Sequence, residues 1–168
     1  MEYHRRSEQL EQPGDGPHHN GPDGDEVRRD RARGTFERAV ALLLKHDLNG
    51  FAQLWAPTGT MDFPFVAGDQ PLHLQGRSAI VGYLAGYTEL VDVRDAQVRV
   101  VHTTGDPDTL VVEWHSSGIM VATGREYRMP YIAVITVGPD GISSYRDYGD
   151  LAAAVAAFTP ADPSGEAA

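Results

Sequence analysis

Two polar residues near the C-terminal end of the chain, Tyr145 and Asp147, stand at a spacing that suits acid–base chemistry. Residues two apart on a strand project from the same face, so both side chains would meet the same surroundings. If that face is apolar, the carboxylate loses hydration and its pKa rises toward neutrality, which makes a usable general acid or base. The tyrosine hydroxyl could then donate a hydrogen bond to a substrate oxygen. The alternative is a solvated aspartate on the outer face of a sheet.

A predicted β-hairpin positions this pair. Residues 131–137 alternate in the manner of a strand, and the turn Gly138–Gly141 combines a proline that presets one backbone angle with a glycine that permits a positive one. A second strand follows over residues 142–149. Strict alternation along it puts Ile142 on the face opposite Asp147. We therefore predict that the pair points into a pocket.

Three further polar side chains are candidates for the site. His115 and Trp114 take opposite faces of one predicted strand, so His115 lies outside if Trp114 belongs to the core. Asp62 alternates with Phe63, which is the more obvious inward residue. Arg128 could bind substrate or pair with a carboxylate across the sheet, and surface pairing is the default for an arginine. We therefore consider His115 and Asp62 as catalytic candidates after the hairpin pair, and Arg128 as a substrate-binding candidate.

Apolar and aromatic side chains at inward positions could form the wall of a small-molecule pocket. The same residues would serve equally well as ordinary core, and many could do both. The predicted wall consists of Trp55, Phe63, Phe65, Tyr83, Tyr87, Ile132 and Val134. The sequence has no Gly-rich phosphate-binding motif and no zinc-protease or serine-hydrolase motif, so neither a cofactor nor a metal ion is expected.

The order of the predicted elements indicates an α+β fold. Helices are predicted from Thr35 to about His46, around Trp55 as far as Pro57, and from Ser78 to Leu90. Strands are predicted over residues 60–66, 72–75, 97–103, 109–118, 125–137 and 142–149, and a last helical segment over 151–158. Because helices come first and long antiparallel strands last, we expect a curved antiparallel sheet packed on three helices of the N-terminal half, enclosing a conical pocket.

The length of 168 residues predicts one domain, which we place at residues 34–158. Residues 1–33 carry few large apolar side chains and are expected to be a disordered tail. Residues 159–168 are expected to be a loose C-terminal tail.

Charge and composition disfavour several classes of partner. The net charge of −10 and the single lysine, Lys45, argue against nucleic acid, because phosphate binding needs clustered cations. The chain has no cysteine, which excludes disulfides, thiolate metal sites and cysteine catalysis and is compatible with a cytoplasmic location. The charged N-terminal stretch does not resemble a signal peptide, and no apolar run approaches the roughly 20 residues that span a bilayer.

Four segments in this order resemble a known family: His46–Trp55, Thr60–Phe65, Gln75–Ile80 and Asp140–Tyr148. Together they are similar to the SnoaL-like branch of the NTF2-like superfamily, which includes ketosteroid isomerase, polyketide cyclases, limonene epoxide hydrolase and the phenazine-biosynthesis A/B proteins. The resemblance covers about residues 35–158. It implies the conical fold, a small-molecule pocket and dimerisation through the sheet face, in a superfamily that hosts many reactions and also non-enzymes.

The resemblance carries over unevenly at individual residues. Ala39, Phe63 and Ile132 stand where ketosteroid isomerase has its tyrosine, its base and its protonated acid, so that mechanism is not expected. Asp147 stands where the phenazine A/B proteins have a pocket glutamate, although their histidine has no match. Arg128 and Asp147 could imitate part of the Asp-Arg-Asp arrangement of limonene epoxide hydrolase.

The sequence thus predicts a cofactor-independent enzyme that cyclises, isomerises or dehydrates an apolar, polyketide-type intermediate of secondary metabolism, such as antibiotic biosynthesis. Either the Asp147 carboxylate moves a proton or the pocket supplies rate by holding a reactive conformer. Two alternatives stay open: a non-catalytic ligand-binding or dimerisation module, and a hydrolase of the epoxide-hydrolase type. We expect a homodimer that contacts through its sheet face, with neither nucleic acid nor membrane as a partner.

Overall fold

The computed structural model describes residues 22–65 and 73–150 of the chain. Its helices are α1, Pro22–Leu44; α2, Leu48–Gln53; and α3, Arg77–Leu90. Its strands are β1, Trp55–Asp62; β2, His73–Gln75; β3, Val91–Thr103; β4, Thr109–Met120; β5, Glu126–Gly138; and β6, Gly141–Gly149. The helices precede the four long strands, which confirms the α+β class. The helical segment predicted over 151–158 lies outside the described residues.

Helix α1 begins much earlier than the sequence pattern suggested. Thr35, predicted as the N-cap, lies in the middle of the helix with 3% of its surface exposed. Residues 22–33, which we had assigned to a disordered tail, form the first half of the helix. The prediction was wrong because it counted apolar side chains only, whereas ion pairs hold this half of the helix.

These ion pairs fasten α1 to the turn between β3 and β4. Arg28 donates through Nη2 and Nε to the two carboxylate oxygens of Asp108, at 2.6 and 3.0 Å, and Arg31 donates to the same carboxylate. The hydrogen bond from Arg28 is the main reason that the pKa of Asp108 lies below its usual value. Bidentate arginine–carboxylate contacts specify orientation as well as distance, so they set the position of α1 relative to this turn.

The six strands of the described chain form one curved, mixed sheet in the order β2-β1-β6-β5-β4-β3. Strands β3 to β6 pair antiparallel with their neighbours in the chain, which confirms the predicted meander. Strand β1 pairs antiparallel with β2 but parallel with β6. The expectation of a wholly antiparallel sheet was therefore wrong at this one contact.

Trp55 lies at the start of β1 and not in the second helix, where the sequence placed it. Helix α2 ends just before Leu54, whose carbonyl accepts a hydrogen bond from the Ile142 N–H at 2.8 Å. The chain thus joins the edge of β6 directly after the helix. Pro57 is tolerated inside β1 because the pairing with β6 is irregular between Trp55 and Thr60.

A β-bulge at Ser143 decides which side chains of β6 face the core. Val137 pairs with Ile142, whereas the preceding residue of β5 pairs with Ser144, so β6 contains one extra residue. Ile142 and Tyr145 consequently both face inward, with 1% and 6% of their surface exposed. The strict alternation that we assumed from the sequence does not hold across this bulge.

The core lies between the helices and one face of the sheet. We call this the inner face, and it carries Val112, Ala133 and Asp147 in one paired row; the outer face carries the row Glu113, Ile132 and Tyr148. The largest fully buried side chains are Trp55, Ile80, Val91, Leu110, Val112, Ile135, Val137 and Ile142. None of the described helices is long and apolar enough to cross a bilayer.

Candidate active site

Asp147 lies on the inner face of β6, where its partner in β5 is Ala133. Beyond the bulge, regular alternation resumes, so Tyr145 projects from the same face two residues earlier. Asp147 is partly buried, and its carboxylate accepts a hydrogen bond from the Gly149 backbone N–H. The carboxylate therefore faces the helices and not the outer surface of the sheet.

Loss of hydration dominates the titration of this carboxyl group. Burial raises the pKa of Asp147 to about 7, against the smaller lowering effect of the Gly149 hydrogen bond. At neutral pH the protonated and ionised forms are therefore present in comparable amounts. A group in this state can accept or deliver a proton with little energetic bias.

Four tyrosines surround this carboxyl group: Tyr83 and Tyr87 from α3, Tyr131 from β5 and Tyr145 from β6. Burial is the largest cause of a raised pKa in all four, and it takes the pKa of Tyr131 to about 12. The negative charge of Asp147 raises each of these pKa values further. All four hydroxyls therefore stay protonated at neutral pH and can act as hydrogen-bond donors.

Helix α3 brings two of these tyrosines to the site because residues four apart share one helix face. The Tyr83 ring packs against Phe63, with ring centroids 4.9 Å apart. The Tyr87 and Tyr131 hydroxyls are hydrogen-bonded to each other. These contacts thus connect α3 to the end of β1 and to β5.

Small residues leave space beside the carboxylate. Ala133 lies directly opposite Asp147 and fills little volume. At Gly149, an added Cβ would lie 3.4 Å from the Tyr131 ring and 3.5 Å from Asp147 Oδ1, which is ordinary contact distance. A methyl group in place of the Gly149 hydrogen would therefore touch both the tyrosine ring and the carboxylate at van der Waals distance.

Trp55 and Phe63 complete the apolar surroundings. Trp55 is fully buried, and its ring centroid is 5.9 Å from that of Tyr145. Phe63 is 8% exposed. The structure thus brings together the predicted wall residues Trp55, Phe63, Tyr83 and Tyr87 with the predicted pair Tyr145 and Asp147.

A family model described as "SnoaL-like domain" matches residues 36–144. The chain belongs to the SnoaL-like family. This confirms the assignment to the SnoaL-like branch of the NTF2-like superfamily, and the curved sheet with its three helices is the conical fold of that superfamily.

Relatives of the SnoaL-like chain include YesE of Bacillus subtilis (strain 168), an uncharacterized protein that is 28% identical over 119 residues, covering 71% of this chain and 81% of YesE. A solved structure named "Putative Isomerase from Bacillus subtilis" is 27% identical with a TM-score of 0.75, covering 78% of this chain and 94% of that one. A "putative polyketide cyclase" from Xanthomonas campestris pv. campestris is 20% identical with a TM-score of 0.65, covering 79% and 99%, and shows the fold alone.

Three predicted wall residues of this SnoaL-like domain lie away from Asp147. Ile132 and Val134 project from the outer face, and Ile132 is 46% exposed. An unbulged hairpin would pair Asp147 with Ile132, but the extra residue shifts the register by one and turns each β5 side chain to the other face. Phe65 follows the end of β1 and is 60% exposed. None of the three therefore borders Asp147, whereas Phe65 and Ile132 line a groove on the outer face.

His115 and Arg128 also lie on the outer face, as the burial of Trp114 in the core requires. Arg128 Nη2 is 2.9 Å from His115 Nε2. Because arginine only donates, His115 Nε2 is the acceptor and the ring proton is on Nδ1. The sheet separates both residues from Asp147, so neither a catalytic His115 nor the epoxide-hydrolase-like pairing of Arg128 with Asp147 fits this structure.

Asp62 belongs to a separate outer-face pair. Its Oδ1 is 2.6 Å from His73 Nδ1, and it lies beside Arg146 in the neighbouring strand. Asp62 therefore lies away from the Asp147 site, because the inward position is taken by Met61. In the described part of the chain, no three acidic or histidine side chains are arranged to hold a metal ion.

Sequence reasoning missed three inner-face residues of the site, Trp114, Ser116 and Tyr131. The Tyr131 ring stacks on Trp114, with centroids 4.7 Å apart and planes 19° apart. Ser116 Oγ donates to the Tyr131 hydroxyl at 3.5 Å. The alternation of β4 contained the signal for two of them, since Trp114 and Ser116 share the face opposite His115.

A groove of about 660 Å³ crosses the outer face. It is lined by consecutive residues of three strands, 113–114, 130–132 and 148–150, as expected where strand backbone forms the floor. Phe65 and Arg99 form its sides, and the Phe65 and Tyr148 rings lie 5.4 Å apart. Asp147 does not line this groove, but the groove reaches Trp114, Tyr131 and Gly149, which also border the Asp147 site.

Proposed function

We propose that this protein is a cofactor-independent cyclase, isomerase or dehydratase that acts on an apolar, oxygenated small molecule of polyketide type in secondary metabolism. One observation carries the proposal: the Asp147 carboxyl group, with a pKa near 7, faces an interior of aromatic side chains. Aromatic walls with a few placed polar groups are typical of small-molecule sites. The likeness to isomerase- and cyclase-named structures supports the same class of reaction.

The proposed step is proton abstraction next to a carbonyl group. The Asp147 carboxylate takes a proton from the carbon, and the bonding electron pair moves to the carbonyl oxygen to give an enolate. If a double bond is conjugated with the enolate, return of the proton from Asp147 to the far carbon of that system isomerises the substrate. Attack of the enolate carbon on a second carbonyl instead closes a ring, and the alkoxide that forms takes the proton from Asp147. The Tyr145 hydroxyl donates a hydrogen bond to the oxygen on which charge develops.

Deuterium exchange tests this step without knowledge of the natural substrate. The probe is 2-tetralone, a bicyclic ketone with acidic protons beside its carbonyl group, in deuterated buffer near neutrality, followed by mass spectrometry. Wild-type protein should accelerate exchange above the buffer rate, and Asp147→Asn should reduce that acceleration by about 10²-fold or more. Asp62→Asn is the matched control, because this outer-face carboxylate should be dispensable.

Two results would count against the proposal. Exchange at the buffer rate with wild-type protein, or full acceleration by Asp147→Asn, contradicts the assigned role of the carboxyl group. If 2-tetralone binds but does not exchange, the protein is better described by the alternative function, a ligand-binding module.

We also propose that the protein forms a homodimer through the outer face. Ile132 and Val100 are exposed apolar residues on this face, and the groove there carries both a cation, Arg99, and an anion, Glu113. A two-fold contact could pair the arginine of each copy with the glutamate of the other. Light scattering should find a dimer that Ile132→Asp dissociates, whereas Val27→Asp, at an exposed position of α1, should leave it intact. A wild-type monomer at micromolar concentration would contradict this.

A further inference from the structure

Two buried indole N–H groups beside the Asp147 site have no hydrogen-bond acceptor in the described part of the chain. They belong to Trp55, which is fully buried, and Trp114, which is 8% exposed. Nearly all buried donors in native proteins are paired, because an unpaired one has lost its hydration without compensation. Two such groups next to a proposed ligand site indicate that the ligand supplies an acceptor.

Tyr145 lies next to both indoles. Its ring is 5.9 Å from the Trp55 ring. Its hydroxyl is close enough to the Trp114 indole for that donor to lower the pKa of Tyr145, although burial raises it by more. The two groups nevertheless form no hydrogen bond of regular geometry, and the indole N–H stays unpartnered. Two donors, one indole N–H and one phenol O–H, are thus side by side.

Neighbouring rings fix the orientation of the Trp114 donor. Trp114 stacks on Tyr131 at 4.7 Å and meets the edge of Phe36 at 6.3 Å, with ring planes 75° apart. Because the Phe36 and Tyr131 rings already restrict the Trp114 side chain, it loses little further conformational entropy when a ligand binds. The donor is therefore preorganised for one acceptor position.

The strand register places this acceptor position beside the carboxylate. Tyr145 and Trp114 belong to the two rows of the inner face that flank the row of Ala133 and Asp147. Ala133, which is fully buried between the two donors, has the smallest side chain of its row, so it occupies little of the volume there. An oxygen held there would put the adjacent carbon next to the Asp147 carboxylate.

We propose that the Trp114 indole N–H and the Tyr145 hydroxyl together bind a carbonyl oxygen of the ligand over Ala133. Both groups act as hydrogen-bond donors toward a carbonyl oxygen, so the site binds a ketone more tightly than a hydrocarbon of the same shape. It also selects them over carboxylates, since a second anion beside Asp147 would be repelled. This inference rests on the ligand class of the proposed function but not on its proton-transfer step.

A matched pair of ligands tests the proposal: 2-tetralone and tetralin, which share a bicyclic carbon skeleton and differ by the carbonyl oxygen. Affinities are measured by ligand-observed NMR titration in ordinary water. Wild-type protein should bind the ketone about tenfold more tightly than the hydrocarbon. Trp114→Phe and Tyr145→Phe should each bring this ratio to about three or less, while the affinity for tetralin changes little.

Tyr148→Phe is the control, because it removes a tyrosine hydroxyl from the outer face of the sheet, away from Trp114, Tyr145 and Asp147. It should keep the wild-type ratio. If Trp114→Phe fails to fold, the nearly isosteric Tyr145→Phe decides. The proposal is overturned if the ratio persists in both donor variants, if wild-type protein shows no preference, or if the ketone does not bind at millimolar concentration. A preference for the ketone without deuterium exchange would refute the proposed function and leave this inference intact.

Discussion

Replacing Asp147 by asparagine should remove a pH-dependent penalty on the stability of the fold. The carboxyl group has a pKa near 3.8 in the unfolded chain and about 7 in the folded one. Between these values the folded protein holds a proton that the unfolded chain has lost. Raising the pH through this window therefore favours the unfolded state, and the wild-type free energy of unfolding falls.

The size of this effect follows from the shift of about three units. Each unit corresponds to about 1.4 kcal/mol, so the penalty approaches about 4 kcal/mol above pH 7 and is small below pH 4. Because Asp147 is only partly buried, water and local adjustment relieve some of it, and we expect about 2 kcal/mol. Asparagine has the same shape and no charge, so the stability of the variant relative to wild type should rise by this amount between pH 4 and pH 8.

Urea unfolding monitored by tryptophan fluorescence measures this difference, since Trp55 and Trp114 are both buried. The matched control is Asp140→Asn, which removes an exposed carboxylate in the turn between β5 and β6. Its stability relative to wild type should not change with pH. A flat difference for Asp147→Asn, within about 0.5 kcal/mol over the same range, would refute the claim that the carboxyl group is desolvated.

Two further predictions concern the elements that shape the site. Asp108→Ala should lower the free energy of unfolding by about 1 kcal/mol in urea titrations at pH 7, because the anchor of α1 is lost while its partly exposed charges are screened. The loss of stability should become smaller as the pH falls through the lowered pKa of Asp108, because the protonated carboxyl group no longer pairs with the arginines. A loss that is independent of pH would contradict this prediction. Gly141→Ala should lower the free energy of unfolding by more than about 2 kcal/mol. Its φ of 115° is strained for any residue with a side chain, and the added Cβ would overlap the Leu54 carbonyl oxygen. Gly105→Ala, with nothing within 4 Å, is the control, and equal effects of the two would contradict the geometry.

Most of the architecture could be predicted from the sequence because it depends on long, regular patterns. The meander of four strands follows from alternation over many residues and from the turn Gly138–Gly141. The start of α1 could not be predicted in this way, because Arg28 and Arg31 are held by Asp108, far away in the chain. Residues 22–33 are therefore predicted to be disordered as long as the contact of their arginines with Asp108 is unknown.

The candidate site was predicted in part, and the errors have one main physical cause. Tyr145 and Asp147 were placed on one face correctly because their spacing lies wholly beyond the bulge at Ser143. Ile132 was placed on the wrong face because the bulge inserts one residue between the turn and the site. A bulge has no strong sequence signature. Yet it shifts the pairing of the two strands by one residue, so the β5 side chains that lie beside a given β6 side chain are those of the opposite face from the one expected.

The alternation of its strand left open whether Trp114 is core, and Trp114 was not predicted as a functional residue, since the sequence does not reveal that its indole N–H lacks an acceptor. That observation needs the positions of all neighbouring acceptors. The aromatic residues Tyr83 and Tyr87 were easier to find, because residues four apart on an amphipathic helix must share a face.

The central claim is that the Asp147 carboxyl group titrates near neutrality inside an aromatic site. Carbon-13 NMR of protein labelled at the aspartate carboxyl carbons measures this directly, with the signal assigned by its absence in Asp147→Asn. The account predicts a titration midpoint near 7 for this signal. A midpoint near 4, the value of a solvated aspartate, would contradict it.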